Sequence, residues 1–170
     1  HMCGICGIAV ARGGPQISEA ILRKMNASIS HRGPDEDGFY VNEKVGLASR
    51  RLSIIDLTSG TQPISNEDES IRIVFNGEIY NYRELRDYLE KHGHLFRTRS
   101  DTEVILHLYE EFGTDCLQQL DGIFAFAIWN ENKQELLLAR DRMGIKPMYY
   151  THLPDWQFIF GSEMKSILAN

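Results

Sequence analysis

Short apolar segments separated by polar turns run along the whole chain, and their lengths and spacing predict mostly strands. Alternation of apolar and polar positions, or a short uninterrupted apolar run between turn residues, is typical of a strand. The segments that fit are 4–11, 39–41, 45–48, 52–55, 71–75, 122–129, 135–139, 148–151 and 157–160. Residues 130–134 form the turn of a predicted hairpin, and the polar stretch 56–68 is predicted to be a loop.

Apolar residues at helical spacing follow residue types that cap helices. Ser18 stands before the apolar positions 21, 22, 25 and 29. Asn81 with Glu84, and Ser100 with Glu103, match the capping box, in which each side chain bonds a backbone N–H at the other end of the first turn. We therefore predict helices over 18–29, 81–92 and 100–112, and a last helix that begins near residue 162.

The strands occur in antiparallel-looking groups with a few helices between them, which indicates the α+β class. Two sheets with helices on their outer faces would use this set of elements, and 170 residues fit one domain. The formal net charge of -6 disfavours nucleic acid as a partner. No apolar run approaches the roughly 20 residues needed to cross a bilayer. Three cysteines, an odd number, fit a reducing compartment, so a cytoplasmic location is expected.

Cys3 and Cys6 form a C-x-x-C pair whose residue types leave several interpretations open. A redox pair would need a thioredoxin-like setting, a zinc site would need a second ligand pair, and two buried thiols in a strand need nothing more. His1-Met2 is interpreted as a cloning remnant, which makes Cys3 the second residue of the natural chain. After loss of the methionine, Cys3 carries a thiol and a free α-amine that can act as its base. Retention of the remnant would turn this amine into a peptide N–H, so low activity is expected.

Two further groups of residues have a structural and a chemical interpretation. Asn76-Gly77 is typical of a tight hairpin turn, although residues 78–84 look like a turn into a helix. The Asn side-chain NH2 and the Gly backbone N–H could instead form an oxyanion hole. Arg51, Glu78 and Asp101 could be solvated charges, or, for Asp101, a favourable acid in the first turn of a helix. Together they offer one cation and two anions, which complement the carboxylate and ammonium of an amino acid.

Eight segments carry a signal as a set: Cys3-Gly4-Ile5, HRGPD (31–35), RLSIID (51–56), NGEIYNY (76–82), SDTE (100–103), LDGIFAFAIW (120–129), ARDRMGIKPMYY (139–150) and GSEMKSIL (161–168). In this order they resemble the class II glutamine amidotransferases and, among these, the N-terminal domain of asparagine synthetases. The resemblance covers nearly the whole chain.

This resemblance implies an N-terminal nucleophile hydrolase fold, a four-layer αββα sandwich. It also implies hydrolysis of the side-chain amide of L-glutamine to glutamate and ammonia through a thioester on Cys3. The implied oxyanion hole is Asn76 and Gly77. The implied substrate-binding residues are Arg51 for the α-carboxylate, the backbone of Leu52, Ser53, Ile54 and Ile55 as a wall, and Glu78 with Asp101 for the α-ammonium. The HRGPD loop is expected to line the pocket without a chemical step, and Cys6 to be part of the core.

The resemblance also suggests what lies beyond the chain. Residues 3–170 would be a glutaminase domain, and an absent C-terminal synthetase domain would receive the ammonia and make asparagine. ATP and magnesium are expected only in that domain; no cofactor and no metal are expected in this one. Two alternatives stay open: the same chemistry feeding another acceptor, and a non-catalytic docking or regulatory module of the same fold.

Overall fold

The computed structural model describes residues 3–51 and 61–170. The strands are β1 (Gly4–Val10), β2 (Glu36–Val41), β3 (Val45–Arg51), β4 (Ile64–Ser65), β5 (Ile71–Ile79), β6 (Gly122–Asn130), β7 (Glu135–Arg140), β8 (Tyr149–His152) and β9 (Gln157–Gly161). The helices are α1 (Glu19–Ala27), α2 (Tyr82–Lys91), α3 (Asp101–Phe112) and α4 (Met164–Leu168), with short 3₁₀ turns at Ser30–Arg32 and Gly113–Gln119. Most of the strands and all four helices were predicted from the sequence. None of the helices in these described ranges is long and apolar enough to cross a membrane.

Two antiparallel sheets form the centre of the molecule. The first has the order β2-β3-β1-β9-β8, and the second has the order β4-β5-β6-β7. The predicted hairpins of β6 with β7 and of β8 with β9 are both present. The first sheet therefore carries the start of the chain on its central strand, where β1 pairs with β3 on one side and β9 on the other.

Three apolar clusters separate four layers. One joins α1 and α4 to the first sheet, one joins α2 and α3 to the second sheet, and one lies between the two sheets. Leu22 and Ile8 belong to the cluster under α1 and α4, and Ile105 and Phe126 to the cluster under α2 and α3. Phe160 and Val74 belong to the cluster between the sheets. This arrangement confirms the predicted α+β class and the αββα sandwich.

Neighbouring residues of the central strands belong to different apolar clusters, because successive side chains point to opposite faces of a sheet. Ile5 packs between the sheets, whereas Cys6 packs against the helices. Val74 and Phe75 divide in the same way on β5. Burial raises the pKa of the Cys6 thiol to about 12, so this thiol stays protonated. The prediction that Cys6 belongs to the core is confirmed.

The capping predictions are confirmed in part. Ser18 Oγ accepts a hydrogen bond from Ile21 N (3.2 Å), and Ser100 Oγ accepts one from Thr102 N (3.0 Å). The reciprocal bond from Ser100 N to Glu103 is absent from the described structure, since Ser100 N donates to Thr98 Oγ1.

The prediction of a capping box at Asn81 was wrong. Asn81 stands at the start of α2, but its side chain makes no cap hydrogen bond within the described residues. It instead donates to Gln119 O (2.9 Å) and accepts from Asp121 N (3.0 Å). The Asn81 side chain therefore bonds to the segment that leads into β6, and not to the first turn of α2 as the local pattern predicted.

Several strand boundaries also differ from the prediction. β5 continues to Ile79, so Asn76 and Gly77 lie within a strand and pair with Ala125 and Phe124, and no hairpin turn is formed there. The turn into a helix that residues 78–84 suggested is present at residues 80–81, directly before α2. β3 extends to Arg51. The short strand β4 lies in the segment predicted as a loop and pairs with β5. The predicted strand 52–55 lies outside the described residues.

Candidate active site

A small cavity of about 130 Å³ opens where the start of β1 meets the end of β3, the middle of β5 and the start of α3. Its lining residues are Cys3, Arg51, Gln62, Phe75, Gly77, Ser100, Asp101 and Thr102. The fold therefore brings Cys3, Arg51, Gly77 and Asp101 to one place, although they are far apart in the sequence. The predicted backbone wall, Leu52 to Ile55, lies outside the described residues.

The start of β1 is held by two segments from elsewhere in the chain. Arg32 Nη1 donates to the backbone oxygen of Cys3 (3.3 Å), and Arg32 Nε donates to Glu163 Oε1 (2.9 Å). Ser162 Oγ accepts from Ile5 N, and Ser162 N donates to Ile5 O, both at 2.9 Å. Cys3 is thus fixed through its own carbonyl and through the residue two positions later.

The HRGPD segment does not line the cavity formed by the described residues, which corrects the expectation from the sequence. It contacts Cys3 and Arg51, two residues that do line the cavity. A Cβ on Gly33 would lie 2.2 Å from Arg51 N, so only glycine lets the turn pack this closely on the end of β3. Arg51 reaches Glu36 with its Nη1 atom, 3.9 Å from the carboxylate. The segment therefore positions Cys3 and the backbone of Arg51.

Asn76 and Gly77 have unusual surroundings for strand residues. Asn76 is 2% exposed, and among the described residues nothing accepts a hydrogen bond from its Nδ2. It does not line the cavity itself but stands between two residues that do, Phe75 and Gly77. Gly77 has a φ of +148°, and a Cβ there would lie 2.1 Å from Ile123 O. Both the conformation and the space require glycine at this position.

Asp101 and Glu78 meet on the other side of the cavity. Asp101 Oδ2 accepts from Ile79 N (3.1 Å). Burial raises the pKa of Asp101 above its ordinary value; backbone N–H groups oppose this shift, and the negative charge of Glu78 adds to it. Glu78 is exposed and lines an adjoining cavity of about 450 Å³ that shares Ser100 and Asp101 with the first. Asp101 therefore lines the same cavity as Cys3 and Arg51, and Glu78 lies in the cavity that adjoins it.

Gln62 is the principal residue that the sequence did not identify. Its Oε1 accepts from Phe75 N (2.7 Å), and its Nε2 donates to Thr102 Oγ1 (3.4 Å). Gln62 thereby links β5 to the start of α3 across the cavity wall. It lies in a segment predicted as a loop, and no spacing pattern marks it.

The chain is similar to known proteins over nearly its whole length. Residues 2–170 match a family described as a glutamine amidotransferase domain. The chain is 49% identical to glutamine-hydrolysing asparagine synthetase 2 of Bacillus subtilis (strain 168) over 172 residues, which is 99% of this chain and 22% of the relative. It is 50% identical to asparagine synthetase 1 of the same organism, of which it covers 27%. The chain thus spans about a quarter of the length of these relatives.

Two solved structures share the fold. A glutamine phosphoribosylpyrophosphate amidotransferase from B. subtilis superposes with a TM-score of 0.80 at 23% identity, over 98% of this chain and 43% of that one. A structure of the allosteric regulatory enzyme of purine biosynthesis superposes with a TM-score of 0.84, also at 23% identity and with the same coverage. At this identity the likeness concerns the fold alone, and it agrees with the N-terminal nucleophile hydrolase fold that the resemblance implied.

Proposed function

This chain belongs to the glutamine amidotransferase domain family, and we propose that it hydrolyses the side-chain amide of L-glutamine with Cys3 as the nucleophile. The observation that carries the proposal is the unused donor of Asn76. A buried amide nitrogen without an acceptor costs about 1–3 kcal/mol. An oxyanion that forms only during the reaction would supply the acceptor that Asn76 Nδ2 lacks among the described residues.

The proposed oxyanion hole is Asn76 Nδ2 together with the backbone N–H of Gly77. The side chain of Asn76 has the same orientation on β5 as Val74, which faces the first sheet and packs with Ile5. Cys3 lies two residues before Ile5 on that sheet. Nucleophile and donors therefore come from different sheets and face one another across the end of the sandwich.

The reaction proceeds in two displacements. The Cys3 sulfur attacks the side-chain amide carbon, the thiol proton passes to the α-amine, and the carbonyl oxygen becomes an oxyanion at Asn76 and Gly77. Collapse of this intermediate breaks the C–N bond, and the amine returns a proton to the departing ammonia. Water then attacks the thioester, the C–S bond breaks, and glutamate leaves with the thiol restored. This chemistry uses no metal or cofactor.

Glutamine is recognised through the charges around the cavity. The guanidinium of Arg51 binds the α-carboxylate, for which its planar fork is suited. Asp101 and Glu78 bind the α-ammonium. Burial raises the pKa of Asp101, and a bound ammonium would favour its ionised form; the same burial strengthens the attraction between the two charges. The backbone of Leu52, Ser53, Ile54 and Ile55 would complete the wall.

The ammonia is delivered to an ATP-dependent synthetase domain that makes asparagine. The support is the 49% and 50% identity to glutamine-hydrolysing asparagine synthetases and the small part of their length that this chain spans. ATP and magnesium belong to that second domain in this proposal, and the setting is cytoplasmic. Nucleic acid and membrane have no part in it.

Covalent labelling tests nucleophile and substrate together. The chain, trimmed so that Cys3 is its first residue, is incubated with a glutamine-derived diazo ketone and its intact mass is measured. We expect one label per chain, located on Cys3 by peptide mapping and blocked by excess glutamine. Cys3→Ala should not be labelled, whereas Cys116→Ala, which removes a buried thiol, should be. A folded, trimmed chain that takes no label would favour the non-catalytic docking module instead.

The role of the α-amine has its own test. Glutamate release is compared between the trimmed chain and the chain that retains His1-Met2. Since an amide nitrogen is not a usable base, the retained residues should lower the rate strongly. Equal rates in the two forms would contradict a role for the amine.

A further inference from the structure

Two histidines and three glutamates form a cluster along α3, in the helical layer that covers the second sheet. Glu103, Glu110 and Glu111 each lie three or four residues from His107 along α3, which places all three carboxylates near its ring. His94 joins them from the connection between α2 and α3. Its ring lies 5.1 Å from that of His107, measured between centroids.

The Nδ1 atoms of both histidines converge on one carboxylate oxygen. His107 Nδ1 lies 2.6 Å from Glu110 Oε1, and His94 Nδ1 lies 4.0 Å from the same atom. One ligand atom from each of the three residues falls within 4.8 Å of the other two. Tetrahedral zinc with bonds near 2.0–2.1 Å requires its ligand atoms to be about 3.3 Å apart. To reach this spacing, His94 Nδ1 would move closer to Glu110 Oε1 than its present 4.0 Å, and His107 Nδ1 would move away from its present 2.6 Å as the ion replaces their hydrogen bond.

The Nε2 atoms of the same two histidines each face a separate carboxylate. His94 Nε2 lies 2.7 Å from Glu111 Oε1, and His107 Nε2 lies 3.4 Å from Glu103 Oε1. Metal-binding histidines almost always donate their second ring N–H to such a group, which fixes the tautomer and the ring orientation. Glu103 is itself held by the backbone N–H groups of Arg97 and Thr98. The outer partners of a metal site are therefore already in place.

The charges of the cluster also favour a cation. Three carboxylates surround two imidazoles, and His107 and Glu103 are 1% and 2% exposed. Carboxylate oxygens this close to the ring nitrogens would also attract a metal ion.

We propose that His94, His107 and Glu110 bind a zinc ion through their Nδ1, Nδ1 and Oε1 atoms. Two imidazoles and a carboxylate suit zinc and exclude magnesium or calcium, which take oxygen ligands. Glu110 lies at the surface and gives the ion a path from solvent. The ion links the α2–α3 connection to α3, whose first residue, Asp101, lines the active-site cavity. The family resemblance implies no metal in this domain, so the proposed ion departs from that expectation.

Calorimetric titration with zinc chloride tests the site, in a Cys3→Ala background that removes the partly exposed thiol as a competing ligand. We expect one ion per chain. His94→Asn and Glu110→Gln should each lower the affinity by about 100-fold or more, and Glu111→Gln by about 10–100-fold, as for an outer partner. His152→Asn removes a histidine outside the cluster and should leave the affinity unchanged.

Thermal unfolding with and without zinc gives an independent readout. The melting temperature should rise with zinc in the background chain and in His152→Asn, but not in His94→Asn, because only a chain that binds the ion in its folded state is stabilised. Two results would overturn the proposal: no saturable zinc binding by the background chain, or an affinity that is the same in His94→Asn and Glu110→Gln as in that chain.

Discussion

The side-chain amide of Asn76 differs from every other buried asparagine amide in the described structure. Asn26 Nδ2 donates to Ser49 O, Asn66 Nδ2 to Ser70 Oγ, and Asn130 Nδ2 to Tyr109 Oη. Asn76 Nδ2 has no such partner there. Strain or an unused polar group in a folded protein is often retained at a functional site. The unused amide donor of Asn76 therefore fits a role in the reaction, whereas the amides of Asn26, Asn66 and Asn130 stabilise the fold through their hydrogen bonds.

We predict that Asn76→Ala lowers kcat for glutamate release by about 10²–10³-fold, with little change in KM. The alanine loses a donor that acts on the oxyanion, while no hydrogen bond to the described residues is broken, so stability should not fall for that reason. Steady-state kinetics of the trimmed chain and its urea unfolding would measure both quantities. Asn66→Ala is the matched control: it should lose about 1–3 kcal/mol of stability and keep kcat. A kcat near that of the parent chain would remove Asn76 from the oxyanion hole.

Residue types predicted the site better than they predicted how each residue is held. Cys3, Arg51, Gly77 and Asp101, named from their residue types and from the family resemblance, line one cavity; their chemical roles stay predictions. The site role of Gln62 was not predictable, since it depends on a backbone N–H of β5 and on the position of α3. Neither is encoded near residue 62.

At the scale of elements, the start of β1 depends on the 3₁₀ turn at Ser30–Arg32 and on the residues before α4. Glu163 accepts hydrogen bonds from His31 and Arg32, and Lys165 Nζ lies 3.4 Å from its carboxylate. Burial raises the pKa of this carboxyl, but the bonds from His31 and Arg32 outweigh it and bring the pKa down to about 2. Arg32 also donates a hydrogen bond to the carbonyl oxygen of Cys3, so its contact with Glu163 helps to fix the start of β1.

We predict that the stability contributed by Glu163 depends on pH in a defined window. Its pKa is lower in the folded chain than the ordinary value of 4.5, so its contribution is present above that value and is lost as the pH falls toward about 2. Urea unfolding at pH 7, 5, 4 and 3 should show the parent chain more stable than Glu163→Gln at pH 7 and 5. The difference should shrink at pH 4 and 3. Glu43→Gln, at an exposed position, should follow the parent chain, and a constant difference for Glu163→Gln would contradict this assignment.

The wrong predictions at this scale share a physical cause. Asn81 and Glu103 match the capping box, yet both side chains bond to backbone groups outside the helix that they were expected to cap. Asn76-Gly77 matches a hairpin turn, yet pairing with β6 keeps it extended. In each case a partner outside the local motif takes up the donor or acceptor: for Asn81 and for the 76–77 pair it is distant in sequence, and for Glu103 it is the segment just before the helix. The periodic apolar pattern was more reliable because burial on both faces of each sheet depends on it.

At the scale of the whole molecule, the site is assembled from two sheets that share no strand. Cys3 precedes β1 in the first sheet, whereas Asn76 and Gly77 belong to β5 in the second. The apolar layer between the sheets, which includes Phe160, fixes their separation. The layers between helices and sheets, which include Leu22, stabilise the fold without setting this distance. Stability and activity should therefore respond differently to cavities in the two kinds of layer.

We predict that Phe160→Ala and Leu22→Ala lose similar stability, about 3–5 and 2–5 kcal/mol, but that only Phe160→Ala loses much activity. Both side chains are completely buried. A cavity between the sheets lets nucleophile and oxyanion donors shift relative to one another, and a displacement of about 1 Å can lower a rate by 10²-fold. We expect kcat to fall about 10-fold or more in Phe160→Ala and to stay within about twofold in Leu22→Ala. Glutamate release should be measured well below the melting temperature of each variant, with urea unfolding of both. Equal losses of kcat in the two variants would mean that activity follows overall stability rather than the spacing of the sheets.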